Sequence, residues 1–312
     1  MARLARRLAA NAPGPFYVDA SCIDCGTCWR WDPAHFAPGG GQARVAQQPE
    51  GDRATVRALL AQQACPVAAI GSPAELLRHH STTLAKEGFP ALLVSHPLAD
   101  IHDCGWASRQ SFGASSYLLV RPPEAGGNVL IDSPRFNAPL ARRIVALGGL
   151  AAIVLTHRDD VADQARWAAH FGCPRWMHRA DADAAPGAEH RVEGRAPVEG
   201  PAGLWLVPTP GHTEGSMVAV LGQAGSVEGQ VLFSGDHLWW SERLEQVVAS
   251  RRYCWWNWPE QVRSVEALLP LDVRWLLPGH GDRRAFAPGG WAPALRTTLE
   301  KCRAQTPAED PA

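Results

Sequence analysis

The stretch LTHRDDVAD, residues 155–163, closes the apolar run LAAIVL and sets one histidine and three aspartates where a strand gives way to a helix. A short apolar run bounded by polar residues reads as a buried strand, and groups at its end lie on a loop anchored by a rigid element. Three later apolar runs end the same way: His212 follows LWLVPTPG, Asp236 follows GQVLFSG and His280 follows RWLLPG. One such histidine alone is more often a satisfied structural residue. Four endings of this kind, three with a glycine just before the polar residue to allow close backbone approach, point to ligands that converge at one edge of a sheet.

Around these endings the chain alternates strand-like runs (SSYLLVR, GNVLID, PRWMH, SMVAVLG) with amphipathic helical stretches (FNAPLARRIVALG, VADQARWAAHFG). Mixed strands and helices over residues 86–300 predict a layered α/β domain. The order T-H, P-G-H-T-x-G-S, S-G-D and P-G-H-G resembles the metallo-β-lactamase-fold superfamily over nearly all of residues 90–290. That resemblance implies a four-layer αββα sandwich with its metal cleft at one edge.

In that superfamily the first motif usually reads T-H-x-H-x-D-H, whereas here Asp159 replaces the second histidine and Val161 and Ala162 stand where the aspartate and last histidine would be. Valine and alanine cannot ligate, so the usual second metal site keeps at most His280 and the bridging Asp236. The first site keeps His157, His212 and Asp236, with Asp159 as a candidate fourth ligand. Two histidines and a carboxylate with open positions suit mononuclear non-haem iron, with zinc or manganese as alternatives. The resemblance extends to persulfide dioxygenases, which hold a single iron on positions matching His157, His212 and Asp236. Asp160 and His280 are the candidate catalytic residues, Asp160 having helix capping as its alternative. Asp163 reads as a cap of the following helix.

The first 84 residues are of another kind. Cys22, Cys25 and Cys28 have the spacing C-x2-C-x2-C, and Cys65-Pro66 follows at a distance. This looks like a ferredoxin, in which a compact run and a remote Cys-Pro hold one [4Fe–4S] cubane, since three thiolates on a tight loop reach separate irons. A structural zinc site is the alternative. Trp29, Trp31 and Phe36 are candidates to shield the sulfurs. Fragments GPFYVDAS and VAAI would be short flanking strands, and a connecting helix with surface-exposed His79 and His80 leads to the next domain. The predicted organisation is a small ferredoxin-like α+β domain over 1–84 and the metallo-β-lactamase-fold domain over 85–312.

Bulk properties agree with a folded enzyme that binds a small molecule. The chain of 312 residues is 46% hydrophobic and carries a formal charge of −1, so it offers no basic field for nucleic acid or anionic lipid. Its longest uncharged apolar run, Ile144 to Thr156, is too short to span a bilayer. The basic N-terminus MARLARRLAANAPG lacks the apolar segment of a secretory signal and reads as a frayed helical extension of a cytoplasmic protein, with organelle targeting as the alternative.

A last feature is aromatic density in SRRYCWWNWPEQ, where Arg251, Arg252, Trp255 and Trp256 could wall a pocket for an anionic substrate or pack as a structural insert. Cys254 reads as an inert thiol, and His178 and His237 as hydrogen-bonding supports rather than ligands. Redox chemistry at a mononuclear iron, with the cluster or an electron-transfer partner as one-electron source, is the leading reading, because hydrolysis moves no electrons. A one-metal hydrolase of an ester, thioester or lactone is the alternative, and a non-catalytic redox sensor is the third.

Overall fold

The structure is a computed structural model that describes residues 2–305. Its N-terminal part is built from β1 (Tyr17–Val18), α1 (Thr27–Trp31), β2 (Phe36–Pro38), β3 (Ala43–Val45), α2 (Gly51–Ala64) and β4 (Ile70–Gly71). As the flanking fragments suggested, β1 and β4 pair antiparallel, bringing the chain before the cysteine run next to the chain after Cys65. Phe16, Val18, Phe36, Val45, Leu59 and Ile70 form the core of this part.

Three expectations for this region are corrected. The first residues are not a frayed helix: Arg3 N donates to Asp19 Oδ2 at 2.8 Å and Leu8 N to Val18 O at 3.0 Å, so the segment is laid along the small domain. Only a single 3-10 turn, Leu4–Arg6, forms there. The connector is two helices, α3 (Ala74–His79) and α4 (Ser81–Glu87), the second running through residues 84 and 85. They meet at His80, which is 5% exposed rather than at the surface, while His79 is exposed.

Two sheets follow. The first contains β5 (Ala91–His96), β6 (Ala99–Asp103), β7 (Tyr117–Val120), β8 (Val129–Ile131), then α5 (Ala138–Ala146), β9 (Ala152–Val154), α6 (Gln164–Phe171), β10 (Arg175–His178) and β11 (His190–Val192). Its strand order is β11-β10-β9-β8-β7-β6-β5, parallel from β8 to β11 and antiparallel elsewhere. The second is built from β12 (Val198–Glu199), β13 (Trp205–Pro208), β14 (Met217–Leu221) and β15 (Gln230–Gly235). After the β16 (Trp239–Ser241) and β17 (Gln246–Val248) hairpin come α7 (Trp258–Ala267), β18 (Val273–Pro278), β19 (Arg284–Ala285) and α8 (Trp291–Ala304). The order of the second sheet is β12-β13-β14-β15-β18-β19, with β15 and β18 parallel.

Alternation of side chains along the strands builds four layers. On β14 and β15, Met217, Ala219, Val231 and Phe233 meet Tyr117, Leu119 and Val154 of the first sheet. The alternate residues Val218, Val220 and Leu232 face away, onto Val262 of α7 and Leu295 of α8. Leu118 and Ile153 of the first sheet likewise face Leu140 and Ile144 of α5 and Trp167 of α6. The result is the αββα sandwich that the motif order implied. Helix α5 begins where Asn137 accepts a hydrogen bond from Leu140 N at 2.9 Å, and α6 ends at Gly172 with φ 64°.

This topology gathers the motif loops. The parallel pair β15 and β18 puts Asp236 and His280 side by side, with Gly279 N donating to Gly235 O at 2.8 Å. The end of β9 meets the start of β14 where Met217 N donates to Thr156 O at 2.9 Å, so His157 and the His212 loop share that edge. No helix among the described residues is long and apolar enough to cross a membrane.

Candidate metal centre

His157 follows Thr156, and Thr156 fixes which ring nitrogen faces the cleft. Its N–H and hydroxyl both donate to the buried Asp132, at 2.7 Å to Oδ1 and 2.9 Å to Oδ2. The hydroxyl oxygen is then free to accept from His157 Nδ1, 3.0 Å away, which leaves Nε2 with its lone pair. His212 is set the same way: Nδ1 donates to Tyr253 O at 2.5 Å, and Nε2 points inward. The two rings lie 4.8 Å apart at 80°.

Asp159 Oδ2 lies 3.3 Å from His212 Nε2 and 3.9 Å from His157 Nε2. Asp236 Oδ2 lies 3.7 Å from His157 Nε2, 3.9 Å from His212 Nε2 and 3.7 Å from His280 Nε2. Ligands about 2.1 Å from one ion stand roughly 3–4 Å apart, so these spacings fit a shared cation. His157 Nε2, His212 Nε2, Asp236 Oδ1 and both oxygens of Asp160 are buried without a hydrogen-bond partner. Such orphaned atoms are costly unless something polar or charged meets them. The donor set therefore fits a metal ion.

The ionisation of the cleft points the same way. Burial works against a charge on His157, but Asp160, Asp236 and Asp132 outweigh it and lift the imidazole to about 10. Burial raises Asp236, yet His280, His157 and His212 hold its carboxyl well below the usual range. Asp160 is pushed well up, first by burial and then by Asp236. Protons thus balance the acids where a cation would otherwise do so.

Asp160 proves more central than its sequence alternatives suggested. It is 1% exposed and shares a ligand-sized group with His157 and Asp236, while His157, Asp159 and His212 form a second group. The cleft is therefore richer in donors than the loss at Val161 and Ala162 implied, because Asp160 turns inward on the short 3-10 turn Arg158–Asp160. Asp163 does not cap α6 with its side chain; Oδ2 accepts from Phe136 N at 2.7 Å and ties down the neighbouring loop.

The aromatic segment divides. Trp255 N and Trp256 N donate to His212 O at 2.9 and 3.1 Å, and the Trp255 ring lies 6.1 Å from that of His212. Both tryptophans are exposed, at 65% and 43%, and form the rim. Arg251 is instead bonded to Gln305 O at 2.6 Å beyond the end of α8, and Arg252 lies against Tyr253. Neither arginine is brought to the metal ligands by these contacts. Cys254 Sγ donates to Gly211 O at 3.0 Å, bracing the His212 loop. His178 Nδ1 accepts from Ala180 N at 3.2 Å at the start of the turn Arg179–Asp181, and its Nε2 lies 3.0 Å from Gly194 O, whereas the buried His237 ring has no hydrogen-bond partner.

Sequence reasoning passed over two supports. Asp132 ends the GNVLID strand and carried the same signal as the other strand-ending acids, without a glycine before it. Asp181 accepts from Arg158 N at 3.0 Å, Thr213 Oγ1 at 2.5 Å and Gly215 N at 3.1 Å, so one carboxylate fastens the His157 loop to the His212 loop. No local pattern around Asp181 signals this.

In the N-terminal domain, Cys22, Cys25, Cys28 and Cys65 line one cavity with Val18, Ile23, Ala43 and Ile70. Cys22 Sγ accepts from Ala43 N and Cys65 Sγ from Ala69 N, each at 3.3 Å. Burial pushes the Cys22, Cys28 and Cys65 thiols up, so thiolates there need a cationic partner such as iron. Phe36 is buried in the small core, while Trp31 packs at 4.6 Å on Phe89 of the following segment.

Residues 18–72 match the family described as the 4Fe-4S single cluster domain of ferredoxin I. Over 197 residues the chain is 29% identical to an uncharacterized protein of Mycobacterium bovis and to two of Mycobacterium tuberculosis, covering 53% of this chain and 85% of each of those. Among solved structures it is similar to a metallo-β-lactamase from Staphylococcus aureus, with 18% identity, 69% of each chain covered and a TM-score of 0.48. It is also similar to a subclass B3 metallo-β-lactamase of Bradyrhizobium japonicum, with 16% identity, 71% of this chain and 96% of that one covered and a TM-score of 0.47. On its own strand order and layers the second domain is an αββα sandwich that gathers the four motifs at one edge. Residues 18–72 thus match a single-cluster 4Fe-4S ferredoxin domain, and an αββα domain with a candidate metal cleft, similar to the metallo-β-lactamases, follows it.

Proposed function

We propose that the protein is a metal-dependent oxidoreductase acting on a small molecule, with a single iron held by His157, His212 and Asp236 and supported by Asp159. The observation that carries this reading is the packing of the cluster-bearing α1 against the cleft: Arg30 donates to the carbonyl oxygens on both sides of His280. Hydrolysis moves no electrons, so a redox domain built into the cleft wall favours electron-transfer chemistry. Two imidazoles among three carboxylates also favour a hard ion of variable valence. When bound, iron supplies one-electron and Lewis-acid chemistry, and the cubane stores one electron.

The residues divide the remaining work. Asp160, buried beside Asp236 with unpartnered oxygens, takes or returns a proton at its carboxylate. His280, its side chain 26% exposed, stands at the open side and orients the substrate or completes the ligand set. Trp255 and Trp256 give the mouth an apolar rim. Oxidation of a small persulfide is the finer reading, supported by the match of His157, His212 and Asp236 to the persulfide-dioxygenase positions.

A second reading is kept for one reason. Asp236 meets Asp160 on one side and His280 Nε2, at 3.7 Å, on the other, and these donors beyond the first site could serve a hydrolase of an ester, thioester or lactone. Metal analysis after anaerobic purification separates the two. About five irons and four acid-labile sulfides per chain, with oxygen uptake on low-molecular-weight persulfides, is the expected result. About four irons with one or two zinc ions, and thioester cleavage without oxygen uptake, would overturn it.

A further inference from the structure

Helix α1 carries Cys28 and is entered just after Cys25, so two of the four cluster cysteines set its place. The same short helix grips the other domain. Arg30 Nη1 donates to Gly279 O and Gly281 O, each at 3.2 Å, and these are the residues on either side of His280. Arg30 Nη2 donates to Gly113 O at 3.0 Å and to Thr27 Oγ1 at 3.3 Å. The Thr27 hydroxyl donates to Gly113 O at 3.0 Å, and Cys25 Sγ lies 3.2 Å from Thr27 Oγ1. Gly113 admits this approach because a Cβ there would stand 2.9 Å from Cys25 Sγ. The neighbouring Trp31 ring lies 5.7 Å from the guanidinium of Arg283, two residues beyond Gly281.

One planar guanidinium therefore fills four acceptors drawn from the first residue of α1, the 108–115 loop and the His280 loop. Lysine, a point charge, cannot reproduce that fork. His280 meets Asp236 at 3.7 Å, and its ring can hold that station only while its own peptides stay in place.

We propose that Arg30 couples the two centres: a loaded N-terminal domain fixes α1, and through Arg30 the peptides flanking His280, so that loading the cluster raises the affinity of the cleft for its metal. The inference rests on the reading that the cleft holds a metal. It makes Arg30 a positioning residue, and linkage requires the effect to be reciprocal.

The test is Mn(II) binding to the full chain with its cleft emptied by chelation, followed by the electron spin resonance of free Mn(II). Parent and Arg30→Met are compared with the cluster loaded and with it removed, cluster content being read from visible absorbance and iron. In the parent, removal of the cluster should weaken Mn(II) binding about 10- to 100-fold, the usual range for groups that orient metal ligands. Loaded Arg30→Met should bind as weakly as the stripped parent and change little on stripping. If loaded Arg30→Met binds Mn(II) like the parent, or loses as much on stripping as the parent does, the inference fails. Arg30→Lys serves in its place if the methionine variant does not load its cluster, with the same outcomes. A parent that binds no Mn(II), iron or zinc in the cleft would sink the metal reading and this inference together, whereas tight parental binding untouched by Arg30→Met sinks the inference alone.

Discussion

Asp132 acts on the cleft without facing it. Burial pushes its carboxyl up to about 7, against the opposing pull of His157 and the bonds from Thr156. It is the acceptor that frees the Thr156 oxygen for His157 Nδ1, so its acceptor character matters more than its size. Asp132→Asn keeps the shape but replaces one acceptor oxygen with a donor, which disturbs the hydroxyl's direction and the tautomer of His157. Cleft metal affinity should fall about 10- to 100-fold, measured by chelator competition, while the cluster absorbance stays as in the parent. At this scale the ligand candidates His157, His212, Asp236 and His280 were legible because each ends an apolar run, and Asp159 because it stands where the resembling motif has its second histidine. Asp160 was ambiguous because adjacent aspartates on one turn differ only in where the turn aims them.

Between elements, the close packing of strand ends is made possible by glycine. Gly235, at φ 49°, ends β15 where a Cβ would stand 2.5 Å from Thr156 Oγ1. Gly279, just after β18, leaves open the space between two acids: a Cβ there would lie 2.7 Å from Asp236 Oδ1 and 2.8 Å from Asp160 Oδ2. Gly279→Ala places a methyl group among the donors at a position whose backbone needs no positive φ. The expected outcome is loss of most cleft metal with a thermal midpoint within a few degrees of the parent, read by metal analysis and calorimetry. A variant that keeps its full metal content would show that Asp160 and Asp236 do not act together. The strands and helices named from periodicity were found as elements, since a period of two or 3.6 is written locally. The β5–β6 hairpin, the β16–β17 hairpin and the split of the connector at His80 were not, because short strands and exposed edges carry little apolar signal.

Across the whole molecule, the two centres have separate ligand sets but one shared wall. His212→Ala should empty the cleft yet leave four irons and the visible absorbance of the cluster, since no cluster cysteine touches His212. Simultaneous loss of both would mean that the domains fold as one metal-dependent unit. The order of the chain by itself determined the single-cluster cysteine pattern, the layered α/β class and most of the candidate ligands, because spacing along a loop and apolar period along a strand are local properties. Only the tertiary structure decided that Asp160 joins the donors, that Asp132 and Asp181 hold the histidine loops, and that Arg30 grips the His280 loop. That last bond spans 249 residues of sequence, and such a contact is selected by the packing of whole layers rather than by any neighbouring residue.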